Sequence, residues 1–100
     1  MYERDIIWAP LADEDLDRLL DHLDKNWGPA VSIAFLDELE NCIELIRVSP
    51  EAFPVFYSSQ KIRRCVVTKQ NSLFFRVDAN HIAILRLYDT RQDPNDLFFD

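Results

Sequence analysis

The chain has 100 residues, 48% of them apolar and 29% charged, with a formal net charge of -7. This composition is ordinary for a globular protein and excludes a disordered segment or a fibrous repeat. No window approaches the ~18 consecutive apolar residues that would cross a bilayer. A single domain over residues 1–100 is expected, burying about 60 to 70% of the surface its unfolded chain would expose.

Met1-Tyr2-Glu3-Arg4-Asp5 is not a signal-peptide start, and a cytoplasmic protein is expected. The total charge hides a division: residues 1–60 carry -9, residues 61–91 carry +5 and the last nine carry -3. An acidic helical half and a basic sheet half follow, so the local field matters more than the sum.

In chain order, Glu3 to Trp8 reads as a short strand, ended by Ala9-Pro10 because proline keeps its predecessor extended and suits the first position of a helix. The helix from Pro10 places Asp13, Glu14 and Asp15 near its first turn, where the macrodipole favours negative charge. Leu16, Leu19, Leu20 and Leu23 form its apolar stripe, Asp17, Asp21 and Asp24 face water, and His22 borders the stripe. Gly28, the single glycine, followed by Pro29, marks a tight helical hairpin, with Trp27 expected as a packing anchor. The second helix, from about Pro29 to Ser49, carries Phe35, Leu39, Cys42, Ile43 and Ile46, widened by Ile33, Leu36 and Leu45, and Pro50 stops it. Residues 51–60 form a connector whose Phe53, Phe56 and Tyr57 are expected to pin it to the edge of the core, the alternative being a partner-binding surface.

Three β-rich runs then follow, Ile62 to Val67, Leu73 to Val77 and Ile82 to Tyr88, with His81 in the last turn. The order is β-α-α-β-β-β, and the fold class is α+β. Two layers are expected, the helical hairpin packed on one face of a small twisted antiparallel sheet. Alternation puts Leu73, Phe75 and Val77 opposite Phe74, Arg76 and Asp78, and Leu85 and Leu87 opposite Ile84, Arg86 and Tyr88. The sheet face away from the helices is therefore expected to present Arg76, Arg86, Tyr88 and one of Arg63 and Arg64, suited to a phosphate backbone or an acidic protein segment.

Cys42 and Cys65 have no C-x-x-C spacing and read as buried free thiols. The sequence contains no Gly-rich phosphate loop, no G-x-S-x-G elbow and no metal-spaced cluster, so neither a cofactor nor a metal is expected. Arg86 and Tyr88 share a predicted strand face, and Arg91 follows in a segment that Asp93-Pro94 would hold as a turn. The three can converge on one surface as candidate catalytic residues. Arg91 could instead be tied to Asp89 or Asp93 as a local ion pair.

Several segments together resemble the RelE/ParE superfamily of toxins from type II toxin-antitoxin modules, a plasmid-stabilisation type of system. They are Ile6 to Ala12, Asn26-Trp27-Gly28, Ser49 to Pro54, Ile62 to Val67, and Ile84 to Pro94, and they cover nearly the whole chain in order. The resemblance implies a helical hairpin on a small antiparallel sheet, and a growth-arresting toxin neutralised by a cognate antitoxin protein. RelE-like members are ribosome-dependent endoribonucleases that cleave messenger RNA in the A site, whereas ParE-like members poison DNA gyrase. The ribosome with its mRNA or DNA gyrase is thus the implied further partner, and no membrane is implied. A catalytically degenerate, non-toxic homologue that keeps only its antitoxin contact is the alternative. Arg91 matches the position where RelE-like nucleases place an arginine that steadies the scissile phosphate. Other features depart from that pattern: Gln70-Asn71-Ser72 stands where a catalytic arginine is expected, and Asn95 to Asp100 offers no Tyr or base. The Thr90-Arg91-Gln92-Asp93-Pro94 ending is at least as close to the ParE-like side.

Overall fold

The computed structural model describes residues 4–93 and 96–99. Glu3, Pro94, Asn95 and Asp100, which figured in the expected first strand, turn and tail, lie outside the described residues. Strand β1 (Asp5–Trp8) leads through Ala9 into α1 (Pro10–Trp27), with Pro10 at the first helical position. Helix α2 (Pro29–Val48) follows, then a 3-10 turn at Pro50–Ala52. Strands β2 (Val55–Tyr57), β3 (Ile62–Thr68), β4 (Asn71–Val77) and β5 (His81–Asp89) complete the order.

The hairpin turns on Gly28, whose N–H reaches the carbonyls of Leu23 and Asp24 while its backbone sits at φ 92°, ψ 169°. That region is open essentially to glycine alone. Trp27 beside it is 69% exposed, so it is not the expected packing anchor. It ends α1 at the hairpin tip, past the point where the two helices share a core.

The strands run in the order β1-β5-β4-β3-β2, and the sheet is mixed rather than wholly antiparallel. β2, β3, β4 and β5 pair antiparallel, and β1 lies parallel to β5, Trp8 opposite Ile84. The helical hairpin is long enough to carry the chain across the sheet, so β1 reaches the far edge in the parallel sense. The expected connector supplies a fifth strand, β2, too short and too proline-flanked to be read by alternation.

Both helices cover one face. Ala12, Phe35, Leu39, Cys42 and Ile46 meet Cys65, Val67, Leu73, Phe75, Ile82, Ile84 and Leu87, with Leu16, Leu19, Leu20 and Leu23 packed against them. Phe53 of the connector joins this core edge-on to Phe75, at 5.7 Å between ring centroids. Ile33 and Leu45, expected to widen the α2 face, are each 60% exposed.

The opposite face departs from the expected basic surface. Ile62, Phe74, Leu85, Tyr88 and Leu97 form a second buried cluster, with Phe99 packed on it. The cause lies in β5: Phe75 pairs with Ile84 but Phe74 pairs with Arg86, so Leu85 is an extra residue in that strand. The bulge shifts the alternation by one, sending Ile84 and Leu87 to the helices and Leu85 and Tyr88 to the other side. An apolar face so produced needs cover, and residues 97–99 fold back to supply it.

Candidate functional site

Arg86, Tyr88 and Arg91 do come together, all three lining a cleft of about 330 Å³ between α1 and the end of β5. Its remaining walls include Arg18, Leu19 and His22 from α1, with Asn71, Asp89 and Gln92 across from them.

Arg86 lies in the floor and is buried, not displayed on an open face as alternation predicted. Its Nε donates to Asp15 Oδ2 at 2.7 Å, its Nη2 to Asp15 Oδ1 at 3.0 Å and its Nη1 to the Phe98 carbonyl at 2.9 Å. The guanidinium carbon stands 5.0 Å from the Phe98 ring centroid and 5.7 Å from that of Tyr88. A planar fork matched to one carboxylate and stacked on rings is the strongest way to hold an arginine inside a protein. Asp15 also accepts the Leu87 N–H, at 3.0 Å. That amide needs the carboxylate because β1 pairs with β5 only as far as Ile84.

Tyr88 is buried, and its hydroxyl donates to the Asp93 carbonyl at 3.0 Å. Burial pushes the phenol above its ordinary pKa. The Asp96, Asp93 and Asp15 carboxylates push the same way, and Arg86 opposes them.

Arg91 stands at the rim, its side chain 64% exposed. Its Nη2 donates to Asp89 Oδ2 at 2.7 Å, its Nε to Asp89 Oδ1 at 3.0 Å, and its backbone N–H to the same Oδ1 at 2.8 Å. The local pairing with Asp89 is therefore present, and with the Gln92 N–H on the Asp89 carbonyl it shapes the turn after β5. These bonds hold the Asp89 carboxyl below its ordinary pKa and raise that of Arg91.

On the helical wall, His22 Nδ1 lies 3.1 Å from Asn26 Nδ2, whose other contact is the His22 carbonyl at 2.8 Å. Arg18 Nη1 stands 3.7 Å from Asp15. Sequence reasoning placed His22 at the border of the apolar stripe and did not single out Arg18. Their spacing of four residues on one helical face was the signal that they share a wall. Asn71, in the segment where a nuclease arginine was expected, donates to Thr68 Oγ1 at 3.1 Å and lines the cleft from below. Among the described residues no cluster of three metal-ligating side chains occurs, and no helix is long and apolar enough to cross a membrane.

The profile of the family described as "ParE toxin of type II toxin-antitoxin system, parDE" matches residues 6–94. Among solved structures, the chain is similar to the chromosomal ParDE TA system from P. aeruginosa, with a TM-score of 0.72 and 22% identity, covering 86% of this chain and 95% of that one. It is also similar to the toxin-antitoxin complex DinJ-YafQ of E. coli, with a TM-score of 0.61 and 14% identity, covering 88% of this chain and 93% of that one. No curated protein matches. The structural likenesses establish the helical hairpin on the mixed sheet as a shared fold. With the family profile extending over nearly its whole length, the chain belongs to the ParE toxin family of type II toxin-antitoxin systems.

Proposed function

We propose that this protein arrests growth by capturing DNA gyrase, not by cleaving messenger RNA, and that a cognate antitoxin protein neutralises it. The observation that carries this reading is the state of the two arginines in the cleft. A nuclease aims such guanidinium groups at a scissile phosphate, whereas here Arg86 and Arg91 are each held two-pronged by a carboxylate of the same chain. What the cleft offers a ligand is a fixed rim of paired charge, Arg91 with Asp89 facing Arg18 and His22. Such a rim suits a protein surface of mixed charge better than a polyanion, because nucleic acid is held by several cations at once. In this reading Arg91 makes the target contact, and Arg86 and Tyr88 fix the strand end that presents it. The antitoxin is supported by the family and by the toxin-antitoxin systems to which the two similar structures belong.

The test is expression of the chain alone alongside assays on purified gyrase. Growth arrest with DNA-damage signalling, intact messenger RNA and loss of supercoiling is the expected result. Messenger RNA cleaved on ribosomes with gyrase unaffected would assign it to translation inhibition. No arrest, with antitoxin binding retained, would make it a non-toxic antitoxin-binding module.

A further inference from the structure

Arg64 differs from the other described arginines. Arg4, Arg18, Arg47, Arg63, Arg76, Arg86 and Arg91 each have a hydrogen bond or an ion pair within the chain. The Arg64 side chain, half-buried on β3, has neither among the described residues, although its backbone N–H is bonded to the Pro54 carbonyl at 3.0 Å. Its position follows from alternation: Ile62 and Arg64 point to the face away from the helices, while Cys65 and Val67 point toward them. There it borders a hollow of about 90 Å³ walled by Phe56, Phe74, Tyr88, Thr90, Gln92 and Leu97, which adjoins the α1 cleft and shares Tyr88 and Gln92 with it.

The Arg64 guanidinium has no partner within the described residues, and its nitrogens stay open to an incoming group beside Phe56, Phe74 and Tyr88. Two features beside it define that group. The rings of Phe56, Tyr57, Phe74 and Phe99 stack edge to face at centroid distances of 4.8 to 5.6 Å, forming an apolar shelf. Strand β2 is an edge strand with Val55, Phe56 and Tyr57 between 37% and 48% exposed, and it contains no charged residue of the kind that usually guards an edge.

We propose that Arg64 is an anchor for a carboxylate side chain carried on an extended, otherwise apolar protein segment that lies over the aromatic shelf along β2. The inference rests on the reading of this chain as a toxin held by a protein partner, and it assigns that partner a contact beside the α1 cleft rather than in it. Charge complementarity selects the occupant. Arg64 is the only cation among the described residues lining the hollow. A phosphodiester strand needs several cations in a row. One carboxylate flanked by apolar side chains needs one arginine and a greasy surface, and it gains a charge-assisted, two-pronged bond.

The experiment is NMR on the ¹⁵N-labelled full chain, following the arginine Nε–H signals during titration with acetylated, amidated Leu-Asp-Phe, with its neutral isostere Leu-Asn-Phe, and with inorganic phosphate. The expected result is a shift of the Arg64 Nε–H with the Asp peptide, binding about ten-fold or more weaker for the Asn peptide, and similar weakening in Arg64→Gln. Equal binding of the two peptides would overturn the proposal, as would unchanged binding by Arg64→Gln or a larger response to phosphate than to the Asp peptide. The comparison of the two peptides uses the unmodified protein and does not depend on the variant folding. Its failure would leave the gyrase assays untouched, so the two readings fail separately.

Discussion

Asp15 in the second turn of α1 and Arg86 in β5, far apart in sequence, form one buried unit, two guanidinium nitrogens on two carboxylate oxygens at 2.7 and 3.0 Å. The same carboxylate takes the Leu87 N–H, so a single aspartate pins α1 to the sheet and satisfies an amide that β1 is too short to reach. Removing one member leaves the other charged and buried. Asp15→Ala is expected to cost about 3 to 5 kcal/mol, read as a lower urea midpoint. Asp15→Leu with Arg86→Met should cost clearly less than the two single changes added, because no lone charge remains. Strict additivity in that cycle would show that the pair does not act as a unit.

Arg91 gives a prediction in which function and fold separate. Arg91→Ala is expected to abolish growth arrest while leaving the melting temperature and antitoxin binding nearly unchanged, since the side chain is exposed at the rim. A fully toxic variant would place the target contact elsewhere.

The same pair has a pH signature. The folded Asp89 carboxyl titrates below its unfolded value, chiefly through the Arg91 side-chain hydrogen bonds. Its contribution to stability is therefore present above the ordinary carboxylate value, about 3.9, and is lost as pH falls through the lower folded value. Carboxyl ¹³C titration should show Asp89 returning to the ordinary range in Arg91→Ala. An unmoved Asp89 would mean that another group sets its acidity.

Gly28→Ala tests backbone strain alone. A Cβ there would meet nothing within 4 Å, yet φ is +92°. The expected loss is about 1 to 3 kcal/mol with the fold retained. No loss in a denaturant titration would imply that the hairpin relaxes to another turn.

Cys42 and Cys65 are buried free thiols, as their lone spacing suggested. Burial, then the hydrogen bond and charge of Cys42, push the Cys65 thiol up to about 12. Near pH 8 the Cys65 thiol should not react with an aromatic disulfide reagent until the chain unfolds, because the attacking species is the thiolate, and the buried Cys42 is shielded from the reagent by packing. Modification of the native protein at the rate of a free cysteine would contradict this.

What could be read in advance, and what could not, divides by the range of the interaction. Leu16, Leu19, Leu20 and Leu23, and Phe35, Leu39, Cys42 and Ile46, disclose the helices because a 3.6-residue stripe is a local property, and Gly28-Pro29 discloses the turn. Arg86, Tyr88 and Arg91 were expected on one surface and do line one cleft. The exposure of Arg86 was misjudged because a two-residue period cannot register the extra residue at Leu85. Asp15 read as one more acid complementing a helix N-terminus, since the strand that buries it lies 71 positions away. Trp27 read as an anchor from its size alone, and nothing local reveals that the hairpin tip projects beyond the core.

The place of β5 in the sheet also governs how the chain comes into being. It is the last strand in sequence and yet lies between β1 and β4, so β1 must wait for residues 81–84 before it has a neighbour. Until the residues of β5 have been made, Phe35, Leu39 and Ile46 have only part of their eventual core to pack against. Closing so long a loop delays folding until β5 has been made. A nascent or truncated chain without β5 would therefore have neither Arg86 in the floor of the cleft nor Arg91 at its rim.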